Sequence, residues 1–127
     1  MTPLMWAVLN NWQNTVSILL KRGASPNVKN DGGWTGLMLA VGNPVARGTA
    51  RSLLAHGGDV TAEDGQGQTP LIIAVHSGAT VAVVRLLLEH GSDVNAKDSD
   101  GQTLNELARK EHRPDIVGLL KQYGAKK

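Results

Sequence analysis

The phrase Thr69-Pro70-Leu71-Ile72-Ile73-Ala74, followed by Ser77-Gly78, by Val81, Val84, Leu87 and Leu88, and by Gly91, decides how this chain folds. Thr is a good helix N-cap because its hydroxyl accepts a hydrogen bond from an orphan amide of the first turn. Proline at the next position has no amide to leave unpaired, and its φ already suits a helix. Ser77-Gly78 interrupts that helix early. The apolar residues from Val81 to Leu88 return at helical spacing and predict a second helix. Gly91 then ends the second helix in the left-handed conformation.

The same phrase occurs four times. Thr2-Pro3-Leu4-Met5-Trp6-Ala7, Thr35-Gly36-Leu37-Met38-Leu39-Ala40 and Thr103-Leu104-Asn105-Glu106-Leu107-Ala108 align with it, at spacings of 33 or 34 residues. Gly23, Gly57, Gly91 and Gly124 recur in phase, each after a Leu-Leu pair. Asn10-Asn11, Gly42-Asn43-Pro44 and Glu111-His112-Arg113-Pro114 interrupt the other first helices. Between each closing glycine and the next Thr, Asp or Asn with Gly marks a tight turn. Gly33, Gly67 and Gly101 each stand two residues before Thr, a place that calls for positive φ.

Helix, turn, helix and projecting turn at this period resemble the ankyrin repeat. Thr69-Pro70-Leu71 with Gly91-Ser92-Asp93-Val94-Asn95-Ala96 is similar to the family pattern. The resemblance covers the whole chain. It implies an all-α solenoid of stacked helix-turn-helix units joined by projecting β-hairpin-like turns. The repeats are expected at approximately 1–30, 31–63, 64–97 and 98–127. Two departures stand out. The family has His after Thr-Pro-Leu, where this chain has Met5, Met38, Ile72 and Glu106, so the hydrogen bonds between turns are expected to differ. Repeats two and three carry one extra residue between their helices, around Pro44 to Arg47 and Gly78 to Thr80.

Composition agrees with this reading. A chain of 127 residues has room for one domain. Its 41% apolar and 19% charged residues argue against disorder. With no Phe, the core is built from Leu, Val, Ile and Ala, which suits thin stacked layers. The absence of cysteine excludes disulfides and thiolate metal sites within these residues. No apolar run reaches the ~18 residues that span a bilayer, and Met1-Thr2-Pro3-Leu4 lacks a secretory pattern. An intracellular protein, cytoplasmic or nuclear, is the expectation, with no membrane partner. A net charge of +2 with scattered Lys and Arg lacks the dense basic stripe of a nucleic-acid binder.

End repeats of a solenoid need polar outer faces. The last repeat reads as such a cap: Asn105 replaces Leu, Arg109 to Arg113 follow, and Lys126-Lys127 complete a polar tail. The first repeat does not, with Met5, Trp6, Leu9 and Trp12. Either further repeats precede it, or its face meets a partner or a second copy. Trp6 shares a column with Leu39, Ile73 and Leu107 and is expected to be semi-buried.

No chemistry of catalysis emerges. His56 and His90 share a column, and stacked columns stand about 10 Å apart, too far for one zinc with ligands at ~2 Å. A helix-end His answering the helix dipole is the simpler reading. Asp31, Asp64, Asp98 and Asp100 fall in turns, where Asp accepts local backbone hydrogen bonds. Gly32-Gly33 and Gly65-Gln66-Gly67 lack the strand and lysine of a phosphate loop. We therefore expect no enzyme activity, cofactor or metal.

The resemblance implies that a protein or peptide lies against the turn tips and the exposed side of the first helices. The tip positions are Asp31, Gly32, Trp34, Gly65, Gln66, Gln68, Ser99, Asp100 and Gln102. The helix positions are Leu9, Asn10, Gly42, Asn43, His76, Ser77, Lys110 and Glu111. Trp34 aligns with Gln68 and Gln102, so it is expected to be exposed, as a binding anchor or as a cover for the first repeat's apolar edge. Two alternatives stand beside generic docking. One is a histone-tail or methyl-lysine reader, in which Leu39 stands where a second cage Trp is expected. The other is a regulatory ankyrin domain of a larger enzyme.

Overall fold

A computed structural model describes residues 1–43 and 47–124. The Pro44 end of the expected insertion and the Lys126-Lys127 tail lie outside the described residues. Eight helices alternate in two layers: α1 Pro3–Leu9, α2 Gln13–Lys21, α3 Gly36–Val41, α4 Arg47–Ala55, α5 Pro70–His76, α6 Val81–Glu89, α7 Leu104–Lys110 and α8 Pro114–Gln122. Helices this short are marginal alone and depend on packing. Each odd-numbered helix packs on the even-numbered one after it, α1 to α7 stack in one layer, and α2 to α8 stack in the other. Among the described residues there is no strand, only an isolated antiparallel bridge between Lys97 and Thr103.

The caps form as the sequence requires. The hydroxyls of Thr2, Thr35, Thr69 and Thr103 accept from the amides of Met5, Met38, Ile72 and Glu106 at 3.2–3.4 Å. Pro3 and Pro70 occupy first turns, and Thr103 and Glu106 form a capping box. Gly23, Gly57, Gly91 and Gly124 have φ between 90 and 94°. Four residues, Ser77 to Thr80, separate α5 from α6, against three in the first and last pairs, so the third repeat carries the expected extra residue. The sharp turns after α1, α5 and α7 need positive φ again, which Gly78 adopts freely, whereas Asn11 and His112 are held there at φ 55 and 56°.

Burial follows columns. Leu4, Leu37, Leu71 and Asn105 are all buried, even at both ends of the stack, so their own helix pair covers them. Met5, Met38 and Ile72 are buried but Glu106 is exposed; that column is covered by the following repeat. Ile73 and Leu107 are buried while Trp6 is 55% exposed; that column is covered by the preceding repeat. Two expectations are thereby corrected. Trp6 is not semi-buried, because no repeat lies against it. Asn105 does not belong to the polar outer face, which Glu106 supplies instead. Asn105 is 1% exposed, and neither its Oδ1 nor its Nδ2 has a hydrogen-bond partner.

The turns stack as well. Gly33 and Gly101 share a left-handed conformation, φ 81 and 78°, but differ in surroundings. The Gly65 amide donates to the Gly32 carbonyl at 3.2 Å, and a Cβ on Gly33 would lie 2.8 Å from the Gly65 nitrogen. A Cβ on Gly101 meets nothing within 4 Å.

Two stability predictions result. Asn105→Leu restores the buried column and raises unfolding free energy by about 1–3 kcal/mol, the usual cost of an unpaired buried polar group; urea titration followed by circular dichroism measures it. Gly101→Ala costs about 1–2 kcal/mol for left-handed backbone alone, and Gly33→Ala costs clearly more because it also separates two turns. Equal losses for the two glycine variants would refute the turn-stacking argument.

Candidate docking surface

Each turn tip is built around one side chain. Asn30 Oδ1 accepts from the amides of Gly32 and Trp34, both at 3.0 Å. Asp64 Oδ1 accepts from Gln66 and Gln68 at 2.8 and 2.9 Å, and Asp98 Oδ1 from Asp100 and Gln102 at 3.0 and 2.8 Å. The backbone closes the same loops: the amides of Asn30, Asp64 and Asp98 donate to the carbonyls of Trp34, Gln68 and Gln102 at 2.9–3.0 Å. A short polar side chain reaching two residues on and four residues on fixes a tip without help from a strand. Asn30 was not singled out from sequence, although its shared column with Asp64 and Asp98 carries the signal.

With the backbone so engaged, the outward side chains are uncommitted. Asp31, Gln66, Ser99 and Asp100 are exposed, as are Gly32 and Gly65. The side chains of Asp31, Gln66 and Asp100 make no hydrogen bond or ion pair among the described residues. Gln68 and Gln102 are half-buried. Trp34 is too, and it packs against the hydrophobic core. That corrects the expectation of an exposed Trp34: the indole covers the apolar edge of the first repeat and offers only part of its surface.

The ends of the first helices lie beside these tips. Leu9, Asn10, His76, Ser77, Lys110 and Glu111 are exposed, and Gly42 and Asn43 are half-buried. His76 Nε2 lies 3.8 Å from Asp98 Oδ2, whose side chain is 4% exposed, so an end of a first helix is tied to the next tip when His76 is charged. Asn11, just beyond the row, accepts from the buried Thr49 hydroxyl at 3.0 Å, tying the first helix pair to α4.

The carboxylates serve structure. Asp64 and Asp98 hold amides. The Thr61 hydroxyl and amide bonds to Asp59, at 2.6 and 2.8 Å, keep that carboxyl below its ordinary range, helped by the positive charge of Lys29. The Arg113 hydrogen bonds lower Asp115 in the same way. His56 and His90 place Nδ1 at 2.9 Å from the carbonyls of Ser52 and Leu86 one turn back, in keeping with a helix-end role. Among the described residues no three His, Asp or Glu side chains converge as metal ligands. No helix of the described residues is long and apolar enough to cross a membrane.

A family model for ankyrin repeats in three copies matches residues 1–64 and again residues 37–127. No curated protein matches the chain. Ankyrin repeats are generally protein–protein interaction modules and typically non-enzymatic. Repeated helix pairs, threonine caps, glycine ends and Asx-held tips agree with the match along its whole length: the chain belongs to the ankyrin-repeat family.

Proposed function

We propose that this protein is a docking module that binds a partner protein or peptide through its turn tips and the ends of its first helices. One observation carries the reading: outward side chains at Asp31, Gln66 and Asp100 stand uncommitted on tips that Asn30, Asp64 and Asp98 close by side-chain and backbone hydrogen bonds. A partner then meets donors and acceptors whose ordering cost is already met by the fold. The row runs from apolar Leu9 and the exposed part of Trp34, through polar Asn43, Gln66, Gln68, His76 and Ser77, to charged Asp100, Lys110 and Glu111, with Asn10 and Gln102 completing it. A peptide with one apolar anchor and several hydrogen-bonding groups fits such a row; a uniformly charged ligand does not. The methyl-lysine reading is disfavoured, because Trp34 gives much of its surface to the core and Leu39 offers no second aromatic wall.

The first repeat supports an additional contact. Among the described residues, the strongly exposed large apolar side chains other than Tyr123 all belong to it, among them Trp6, Leu9 and Trp12. Concentration of exposed apolar surface marks an interface, and association with a second copy through this face is our reading of it; a further repeat is the competing occupant.

Two experiments test these readings. Peptides selected from a displayed library against the wild type are expected to lose about tenfold or more in affinity with Gln66→Arg and His76→Glu, by fluorescence anisotropy. Trp34→Ala weakens them too but also lowers the melting temperature, so it is a poorer probe. Selected peptides indifferent to every tip substitution would remove the reading. In sedimentation equilibrium up to about 0.1 mM, the wild type is expected to form dimers and Trp6→Asp to stay monomeric; a monomeric wild type ends the self-association reading.

A further inference from the structure

Exposed charge differs between the layers of this solenoid. The turns between repeats carry Asp31, Asp59, Glu63, Asp93 and Asp100 against Lys29 and Lys97. The second helices and their caps carry exposed Lys21, Arg22, Arg47, Arg51, Arg85 and Lys121, against Glu89 and Asp115, and Asp115 is paired with Arg113. The basic groups concentrate between α4 and α6, at a groove of about 420 Å³ lined by Arg47 and Arg51 on one side and by Ala82, Arg85, Leu86, Glu89 and His90 on the other.

Repeat geometry builds this groove. Arg51 and Arg85 hold the same position in successive repeats, two residues before Leu53-Leu54 and Leu87-Leu88, so stacking α4 on α6 sets them side by side. Arg47 lies four residues before Arg51 and therefore on the same helix face. Like charges at that spacing repel. Among the described residues Arg47, Arg51 and Arg85 form no ion pair, and the one carboxylate in the groove lining, Glu89 four residues after Arg85, forms none either.

We infer that the α4–α6 groove is a second docking surface, separate from the turn tips, for an acidic protein segment. Guanidinium groups present planar donor forks that match carboxylates two bonds at a time. Three of them around half-buried Ala82 and Leu86 suit a short segment with carboxylates flanking an aliphatic residue. A long polyanion is poorly served, because Glu89 lies in the groove and none of its lining residues is Trp, Tyr or Phe to stack on bases. The surface belongs to the second-helix layer, so it does not compete with a partner on the first-helix row.

The test uses the full chain and a labelled peptide of alternating Glu and Leu, measured by fluorescence anisotropy at about 50 and 200 mM salt. The wild type is expected to bind with salt-dependent affinity. Arg51→Glu with Arg85→Glu should weaken binding by about tenfold or more, and a peptide with Lys in place of Glu should prefer that double variant. These arginines are exposed, so thermal melts of wild type and variant should coincide; Arg51→Gln with Arg85→Gln serves if they do not. Gln66→Arg should leave this peptide's affinity unchanged, which separates this surface from the turn-tip reading. Equal affinity of wild type and the charge variants overturns the inference, as does tighter binding of a single-stranded oligonucleotide of equal charge.

Discussion

Every element of this protein depends on one constraint: no helix pair can bury its own apolar surface. A helix of six to nine residues is too short to persist alone, and two of them enclose columns such as Leu4, Leu37 and Leu71 but not the whole apolar surface. The remaining apolar columns need a neighbour. The column of Met5, Met38 and Ile72 is closed by the repeat after it, and the column of Leu39, Ile73 and Leu107 by the repeat before it. A stack that satisfies both columns at once has only one register. The phase of threonine caps and closing glycines is what holds that register, because each cap fixes where a helix begins and each left-handed glycine fixes where it ends.

The same constraint produces the row of turn tips proposed above as a docking surface. Stacking leaves one turn tip per junction on the first-helix side, each closed by the same pattern of hydrogen bonds. Asn30, Asp64 and Asp98 then use their side chains to hold backbone, so that the next outward residue is free. The Asn30, Asp64 and Asp98 positions cannot change independently of the fold, whereas Asp31, Gln66 and Asp100 can. Structure and recognition are thus separated within a few residues of each other.

Much of this was legible in the sequence. Caps, glycine ends, helix pairs and the turn positions with positive φ follow from local chemistry that repeats in phase, and four copies let each column be read against the others. Column reasoning failed where a column changes environment at an end of the stack. Trp6 is exposed although Ile73 is buried, because its column is closed by a preceding repeat and none of the described residues forms one there. Asn105 was taken for a polar cap because it is polar and terminal, yet its column is the one that the helix pair covers unaided. Trp34 shares a half-buried position with Gln68 and Gln102, so its column is not an exposed one, and polar residue types in a column do not by themselves report its burial. Which columns face a neighbour is a property of the stack, and a single repeat does not contain it. The binding row follows from the family likeness and from exposure, and its occupant is decided by binding measurements rather than by geometry.

The placement of Asn105 bears on how the ribbon behaves along its length. In a solenoid, stability is close to a sum of repeat terms and neighbour interfaces. A buried amide with no partner weakens the last helix pair internally, while Glu106, in a capping box with Thr103, makes its outer face indifferent to water. The last pair is therefore held chiefly by its contact with α5 and α6, and it is the natural place for the stack to open first. Lys110 and Glu111 stand on that pair; Gln66 and His76 stand on the interior ones. A partner that engages both ends must order the last pair, and its affinity then includes that ordering cost. A partner confined to the middle of the row does not. The charged end of the surface is on this account its most adaptable part, and the polar middle its most rigid.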